Sequence, residues 1–521
     1  MKRVVLLTAP SDVSDNPVPP LGLLAIASYV DSHLDGFRCE VVDLSRMELE
    51  EARRQLHELD WDDVVLVGLT VMSMDVLAAV EIAACARALA STALVIAGGP
   101  HASLAWREFL PRHSPPFDAC VVGEGEAAVV AILERLANGS SIAEVPGVAC
   151  MTPDGPELHS PARLVPPSEW GNPFTARVGV GADEVMYFTE SGGRRRRGVS
   201  LVTSRSCPLA CTFCSIAAMD EPYRSASPAD VVEWLRWERA RRPFEHIYFL
   251  DADFLTSKSR ARAFSSAVSD VFEDVTWSVQ ATVGHVLSLR ADLPELRGRG
   301  LRAVELGIEA GDDDELVFFN KRNFGKYATV RQSIDAVRLL TDAGIAVGID
   351  YIMFYPDQTL AGLARNLSFF LRSGLLDAFD VNHYGHDLIL FPGTPLRSLY
   401  EERCGHHFDT DVLPDTDPLY VDPVVRRIKR EFRTGYLERY SGGTQTLRDE
   451  LRAVARSTTS DRQRAVLRLH ELRLRHHPYV VLERLILAQG DPCDVYAPVD
   501  DDLSAARYTL TALQAQDAGS A

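Results

Sequence analysis

The chain has 521 residues, 46% hydrophobic and 24% charged, the balance of a globular protein of roughly two to four domains. A net charge of −19 repels nucleic acid unless a local basic face compensates. No apolar run reaches the roughly 18–20 residues of a membrane span, and no charged-then-apolar signal opens the chain. Nine cysteines, three clustered and six scattered (Cys39, Cys85, Cys120, Cys150, Cys404, Cys493), argue for a reducing cytoplasm and against a disulfide framework.

Over residues 1–140, apolar runs at 3–7, 39–44, 64–71, 93–97 and 119–122 alternate with helical patterns at 21–30, 48–59, 74–89, 104–110 and 127–137. This alternation predicts a parallel sheet covered on both faces and wound as in flavodoxin. Ligands of such sheets bind beyond the carboxyl ends of the strands. The loops at those ends read Pro19-Pro20-Leu21-Gly22, Thr70-Val71-Met72-Ser73, Gly98-Gly99-Pro100-His101-Ala102-Ser103 and Val122-Gly123-Glu124-Gly125-Glu126. Glycine there lets a large flat ligand approach the backbone, and a helix N-terminus can meet a phosphate. Taken singly, each loop is also an ordinary strand-to-helix turn.

Residues 141–197 are proline-rich without sustained periodicity and are expected to form an irregular linker. The run Gly193-Arg194-Arg195-Arg196-Arg197-Gly198 reads as a solvated basic loop or as a clamp for phosphate or carboxylate.

The apolar run 199–202 leads into Ser206-Cys207-Pro208-Leu209-Ala210-Cys211-Thr212-Phe213-Cys214-Ser215. Three thiolates on one tight CxxxCxxC loop can hold three irons of a four-iron cluster, leaving one iron open to a small chelating molecule. A structural zinc site wants four ligands in paired spacing, and no partner pair follows.

Strand-then-helix units continue to about residue 395, with strands expected at 199–202, 246–250, 275–280, 303–308, 347–351 and 379–390 and a well-capped helix over 228–241. Six repeats suit a six-stranded partial barrel with its chemistry at the carboxyl strand ends. Those ends carry Asp251 and Asp253, Glu309, and Phe391-Pro392-Gly393-Thr394-Pro395. Each acid is open to a plainer reading as a capped turn or a surface carboxylate. His383, Tyr384 and His386 alternate on the last strand, as candidate substrate contacts or as core residues. Beyond 396 the chain reads as charged helices at 423–440, 447–457, 462–475 and 479–489, with an acidic tail from 491 expected to fray.

The cysteine loop, with Phe213 beside its last cysteine, resembles the signature of radical S-adenosylmethionine (radical SAM) enzymes. The N-terminal loops, in their order of appearance, are similar to the cobalamin-binding domain that precedes some radical SAM cores. The resemblance implies a flavodoxin-like (Rossmann-type) cobalamin domain over 1–140, a linker over 141–197, a partial (β/α)6 TIM-barrel core over 198–395 and a C-terminal helical domain over 396–521.

It also implies site residues. Cys207, Cys211 and Cys214 would hold a [4Fe-4S] cluster whose open iron takes SAM, with Phe213 alongside. Asp251 or Asp253 would replace the family's Gly-Gly-Glu contact to the methionine amine. Glu309 would lie near the SAM ribose or amine, and the backbone around Pro392 near the adenine. Pro20, Leu21, Gly22, Ser73, Gly98, Gly99, His101, Gly123, Glu124, Gly125 and Glu126 would surround cobalamin. The chain lacks the Asp-x-His-x-x-Gly motif of many cobalamin domains, so the resemblance implies no histidine on cobalt and makes His101 a neighbour of the cofactor.

The activity implied is a cobalamin-dependent radical SAM methyl transfer to an unactivated sp3 carbon of a small natural-product intermediate, through a 5′-deoxyadenosyl radical and methylcobalamin. The alternative is a non-methylating radical oxidation, cyclisation or ring rearrangement. A tRNA-modifying enzyme is disfavoured by the acidic charge, and a cobalamin sensor would not need the cysteine triplet. Expected partners are a small-molecule substrate and an electron donor such as flavodoxin or ferredoxin, with neither nucleic acid nor membrane.

Overall fold

Buried parallel strands open the chain, and their near-continuous apolar runs explain why they were legible. In the computed structural model, which describes residues 1–11, 18–179, 186–189, 194–376 and 384–519 (side chains of 514–519 excepted), two units are distinguished. The first comprises Met1–Ala281, Ala291–Val304 and Ile389–Pro414, and the second Thr282–Arg290, Glu305–Leu388 and Asp415–Ala521.

The first unit begins with β1 (Lys2–Leu7), α1 (Leu21–His33), β2 (Phe37–Val42), α2 (Leu49–Glu58), β3 (Val64–Thr70), α3 (Val76–Leu89), β4 (Leu94–Gly98), α4 (Gly99–Arg112), β5 (Ala119–Val121) and α5 (Glu126–Ala137). The sheet order is β2-β1-β3-β4-β5, all parallel, as the flavodoxin-like reading requires. Along β1 the side chains alternate. Val5 and Leu7 pack into one cluster with residues of α2, α3 and α4, while Val4 and Leu6 pack into the other with residues of α1 and α5. The linker is more regular than its composition suggests. β6 (Val148–Thr152) and β7 (Gly155–Leu158) form an antiparallel hairpin that extends this sheet beyond β5.

The second sheet of this unit runs, in order, Thr276–Thr282, His246–Phe249, Arg195–Leu201 and Tyr187–Thr189. β9 (Arg195–Leu201), β12 (His246–Phe249) and β13 (Thr276–Thr282) are parallel, and β8 (Tyr187–Thr189) is an antiparallel edge on β9. The arginine run therefore begins a strand and is not a solvated loop. Arg194 pairs with Glu245 at 3.0 Å, and Arg195 lies over the Tyr187 ring at 4.1 Å. Gly193 lies outside the described residues. Between β9 and β12 come β10 (Ser204–Arg205), α6 (Ser215–Ala218), β11 (Arg224–Ser225) and α7 (Pro228–Arg241), whose cap is Ser227 accepting from the Asp230 N–H. α8 (Lys258–Val271) follows β12.

In the second unit, residues 305–309 of β14 (Leu301–Glu309) run beside the strand Ala346–Tyr351. Helices Val330–Asp342, with a Thr329/Gln332 capping box, and Leu360–Ser373 cover them. The strand expected over 379–390 appears, among the described residues, as a single parallel bridge between Phe354 and Asp387. The Leu388 N–H donates to the Phe354 carbonyl at 2.8 Å. The C-terminal helices depart from expectation at two points. Residues 461–487 form one helix across Pro478, and Ala497–Gly519 is helical rather than frayed. Leu503, Ala506 and Leu510 repeat at helical spacing and pack on Leu447, Leu451, Leu467 and Leu474. That stripe is hidden in the sequence by the surrounding aspartates. No helix among the described residues is long and apolar enough to cross a membrane.

Candidate active site

The cysteine loop leaves the carboxyl end of β9 and is closed at its neck by β10 and β11, where Arg205 stands opposite Arg224 in a two-residue antiparallel ladder. Ser206, at φ 65°, turns the chain outward, and its hydroxyl donates to the Glu221 carbonyl at 2.6 Å. Cys211 is buried, while Cys207 and Cys214 are half-buried. The Cys214 N–H donates to the Cys211 carbonyl at 3.2 Å, and α6 starts at the next residue. The three cysteines thus sit within eight residues on one loop, a donor set whose chemistry suits three irons of a four-iron cluster. Phe213 is half-buried on the same loop.

Asp251, placed by the sequence near the SAM amine, is used otherwise. It is fully buried and accepts from the Thr203 N–H at 3.2 Å and the Thr203 hydroxyl at 2.9 Å, and Arg260 pairs with it at 3.3 Å. Burial pushes its carboxyl above the ordinary range, against the pull of Arg260 and of the Ser204 and Thr203 donors. A carboxylate so fully engaged ties the end of β12 to the stem of the cluster loop. Asp253, two residues on, is also buried and stays a candidate for the SAM contact. The Pro392 segment meets the loop from another direction. The Leu396 N–H donates to the Thr212 carbonyl at 3.1 Å, and Gly393, at φ 75°, approaches Leu104 so closely that a Cβ would lie 3.1 Å from its Cδ2.

A cavity of about 780 Å³ lies at the carboxyl ends of β1, β3, β4 and β5 and is closed by residues at the neck of the cluster loop. Pro20, Leu21, Gly22, Gly98, Gly99, Gly123, Glu124, Gly125 and Glu126 line it. A Cβ on Gly22 would project into open space, so this wall leaves room for a flat ligand. Gly99 has a different reason for being glycine. At φ 89°, a Cβ there would lie 2.5 Å from Thr70 Oγ1.

Ser73 and His101 are not part of the lining. His101 sits fully buried in the first turn of α4, its Nδ1 3.0 Å from the Ser73 hydroxyl, and burial pushes its pKa down to about 4. Its ring packs edge-on against Phe109, with centroids 5.7 Å apart.

In the sequence, Ser103 stands out only as part of its loop, and Arg205, Arg224, Trp170 and Asp75 are not singled out. Ser103 donates to the Gly99 carbonyl at 2.9 Å and accepts from the Gly123 N–H at 3.0 Å, joining two of the glycine loops. Arg205, Arg224 and Trp170 form a charged and aromatic cluster around Glu124 and Glu126. Burial would raise the Glu124 pKa, but Arg224 and Arg205 hold it below the ordinary carboxylate range. The available signal was an arginine two residues before the first cluster cysteine, in a chain whose nearest acidic loop motif was unpaired. Asp75 also lines the cavity and accepts from the Met72 N–H at 2.8 Å, and burial pushes its carboxyl up to about 7.

In the second unit, Glu309 ends β14 at φ 71° and forms a buried ion pair with Lys321 Nζ at 2.6 Å. Burial and the neighbouring Asp350 push its carboxyl up while Lys321 pulls it down. Tyr384 is buried against Phe370, with ring centroids 4.8 Å apart, which is a packing position. His386 is exposed, and its carbonyl accepts from the Phe354 N–H at 3.0 Å. His383 lies outside the described residues.

Residues 8–133 match the B12 binding domain model and residues 201–370 the Radical SAM superfamily model, together more than half of the chain. The chain belongs to the cobalamin-dependent radical SAM enzymes. Its cofactors are a [4Fe-4S] cluster, SAM and cobalamin. Over 375 residues it is 25% identical to an uncharacterized methyltransferase of Pyrococcus horikoshii, covering 70% of this chain and 77% of that one. It is 26% identical over 350 residues to the anaerobic magnesium-protoporphyrin IX monomethyl ester cyclase of Rubrivivax gelatinosus. It is 27% identical over 345 residues to the hopanoid C-3 methylase of Methylococcus capsulatus. These matches span 66% and 64% of this chain and 60% of each relative. Two solved radical SAM enzymes share the fold. OxsB with aqua-cobalamin and SAM bound aligns at a TM-score of 0.72 and 16% identity, over 99% of this chain and 80% of that one. TsrM from Kitasatospora setae, with cobalamin and a [4Fe-4S] cluster bound, aligns at 0.60 and 21%, over 78% and 76%.

Proposed function

We propose that this cobalamin-dependent radical SAM enzyme is a C-methyltransferase acting on an unactivated sp3 carbon of a small natural-product intermediate. The observation that carries the reading is a cavity that runs from the carboxyl ends of the first sheet to the stem of the cysteine loop. One side is the sheet ends that bear Gly22, Gly98 and Gly123, and the other is Val202, Arg205 and Ser206 at the stem of the cluster loop. When bound, the cluster with SAM supplies a carbon-centred radical, and cobalamin supplies a methyl group. The chain's own part is to hold the two ends of the chamber in register and to keep water out. Leu21, Ile26, Trp170, Ile216 and Trp234 furnish the apolar wall. Cys207, Cys211 and Cys214 would ligate the cluster, with Asp253 as a carboxylate facing SAM. A flavodoxin or ferredoxin would supply the electron.

The methyl-transfer names of two relatives support this reading. The cyclase of Rubrivivax gelatinosus, at a similar identity, favours the second one, a radical oxidation or cyclisation that moves no methyl. The two are separated without knowing the substrate. Anaerobic protein is given hydroxocobalamin, reductant and SAM trideuterated at its methyl. A methyltransferase releases S-adenosylhomocysteine and leaves the labelled methyl in the corrinoid fraction. Release of 5′-deoxyadenosine alone, with an unlabelled corrinoid, would select the second reading.

A further inference from the structure

The Gly-Glu-Gly-Glu loop was read from sequence as part of the cobalamin surround, yet its two carboxylates are already engaged. Glu124 and Glu126 are buried. Arg205 Nη1 pairs with Glu124 Oε1 at 3.0 Å, and the other terminal nitrogen pairs with Glu126. Arg224 forks onto both oxygens of Glu124, at 2.5 and 3.1 Å. The Arg205 guanidinium lies over the Trp170 ring at 4.3 Å. Trp170 is itself held, its indole N–H donating to the Val165 carbonyl at 3.0 Å, which also accepts from Arg224 at 3.0 Å.

These arginines have a particular place. They stand opposite each other in the two-residue ladder that closes the cluster loop, and Arg205 lies two residues before Cys207. Two guanidiniums on adjacent short strands repel each other, and such a ladder closes only with carboxylate between them. Glu221 of the loop itself reaches Arg224 only at 3.7 Å, and the closer carboxylates, Glu124 and Glu126, come from the cobalamin domain. Glu124, Glu126, Arg205 and Trp170 also form part of the cavity wall.

We infer that Glu124 and Glu126 are positioning residues for the iron–sulfur loop, gripping its neck from the cobalamin domain, so that filling the cavity and assembling the cluster favour each other. This goes beyond the methyl-transfer reading and holds equally if no methyl moves. Linkage makes the effect reciprocal, since whatever factor the cluster adds to corrin affinity, the corrin adds to cluster retention.

The test is hydroxocobalamin affinity, read anaerobically by quenching of tryptophan fluorescence, for the full chain reconstituted with iron and sulfide and for the same chain stripped of iron. The wild type is expected to bind at least about fivefold more tightly with the cluster present, the lower end of ordinary coupling between sites. In Glu126→Gln, folded by circular dichroism, the ratio falls toward one whatever the absolute affinity for cobalamin. Arg205→Lys, which keeps the charge but loses the fork, gives the same result and replaces Glu126→Gln if that variant does not fold. Equal affinities for the two wild-type forms would overturn the inference outright. An undiminished ratio in both variants would do so too, as would variants that simply lose cobalamin while keeping the wild-type rate of iron loss to a chelator. The readout involves no methyl transfer, so its failure is distinct from failure of the proposed function.

Discussion

Replacing Asp251 by alanine separates a brace from a cosubstrate ligand. The carboxylate is fully buried beside Arg260, whose side chain is 8% exposed and whose guanidinium lies 4.8 Å from the Phe254 ring and 4.4 Å from the Phe264 ring. In Asp251→Ala that cation keeps its aromatic contacts and its bond to the Thr203 hydroxyl, but loses its counter-charge. Stranding one partner of a buried pair costs about 3–5 kcal/mol, and the orphaned Thr203 N–H adds about 1–3 kcal/mol. For a cooperative unit of this size, the thermal midpoint then falls on the order of 10 °C. Asp251→Ala combined with Arg260→Met removes both charges and recovers more than half of the loss. The assay is thermal unfolding under nitrogen by circular dichroism, paired with calorimetric titration of SAM. A single variant that melts within about 2 °C of wild type but no longer binds SAM refutes the reasoning and returns Asp251 to the cosubstrate.

Three further expectations follow from individual residues. Gly22→Trp fills open cavity space from a helical position, so the apoprotein keeps or slightly gains stability while hydroxocobalamin uptake falls by about tenfold or more; normal uptake contradicts the cradle. Asp75 titrates near 7 in the fold and near 4 when unfolded, so its contribution is complete below about pH 4 and is lost as the pH rises through 7. From pH 6 to 8 the apoprotein should lose about 1.4 kcal/mol of stability through this group, and Asp75→Asn should flatten the profile; an unchanged pH slope in urea titrations counts against it. Lys321→Met leaves Glu309 buried without its cation and should destabilise the protein by about 3–5 kcal/mol, whereas Lys321→Met with Glu309→Gln recovers most of that; equal melting of single and double variants would show the pair to be incidental.

The sheet of the first 140 residues was legible because runs such as Val4-Val5-Leu6-Leu7 are buried on both faces and stand between turn residues. The cysteine loop was legible because its ligand spacing is local. What local pattern does not record is which way a side chain faces. Gly98 and His101 belong to one motif, yet Gly98 lines the cavity while His101 turns into the core toward Ser73. The roles of Glu124 and Asp251 depend on Arg224 and Arg260, and the first of these partners lies a hundred residues away. The arginine run looked like a loop because four charges outweigh strand propensity in any local reading. Pairing with Glu245 and stacking on Tyr187 accommodate those charges at the start of β9. The tail looked frayed because Asp500, Asp501 and Asp502 mask the stripe through Leu503, Ala506 and Leu510.

The most direct check on the whole account is SAM cleavage by the reconstituted chain. Protein loaded anaerobically with iron, sulfide and hydroxocobalamin, then given SAM and dithionite, should hold about four irons and release 5′-deoxyadenosine. Cys207→Ala, Cys211→Ala and Cys214→Ala should each abolish that release while cobalamin is still taken up. A wild-type chain that gains neither iron nor corrinoid, or cysteine variants that cleave SAM as well as wild type does, would contradict it.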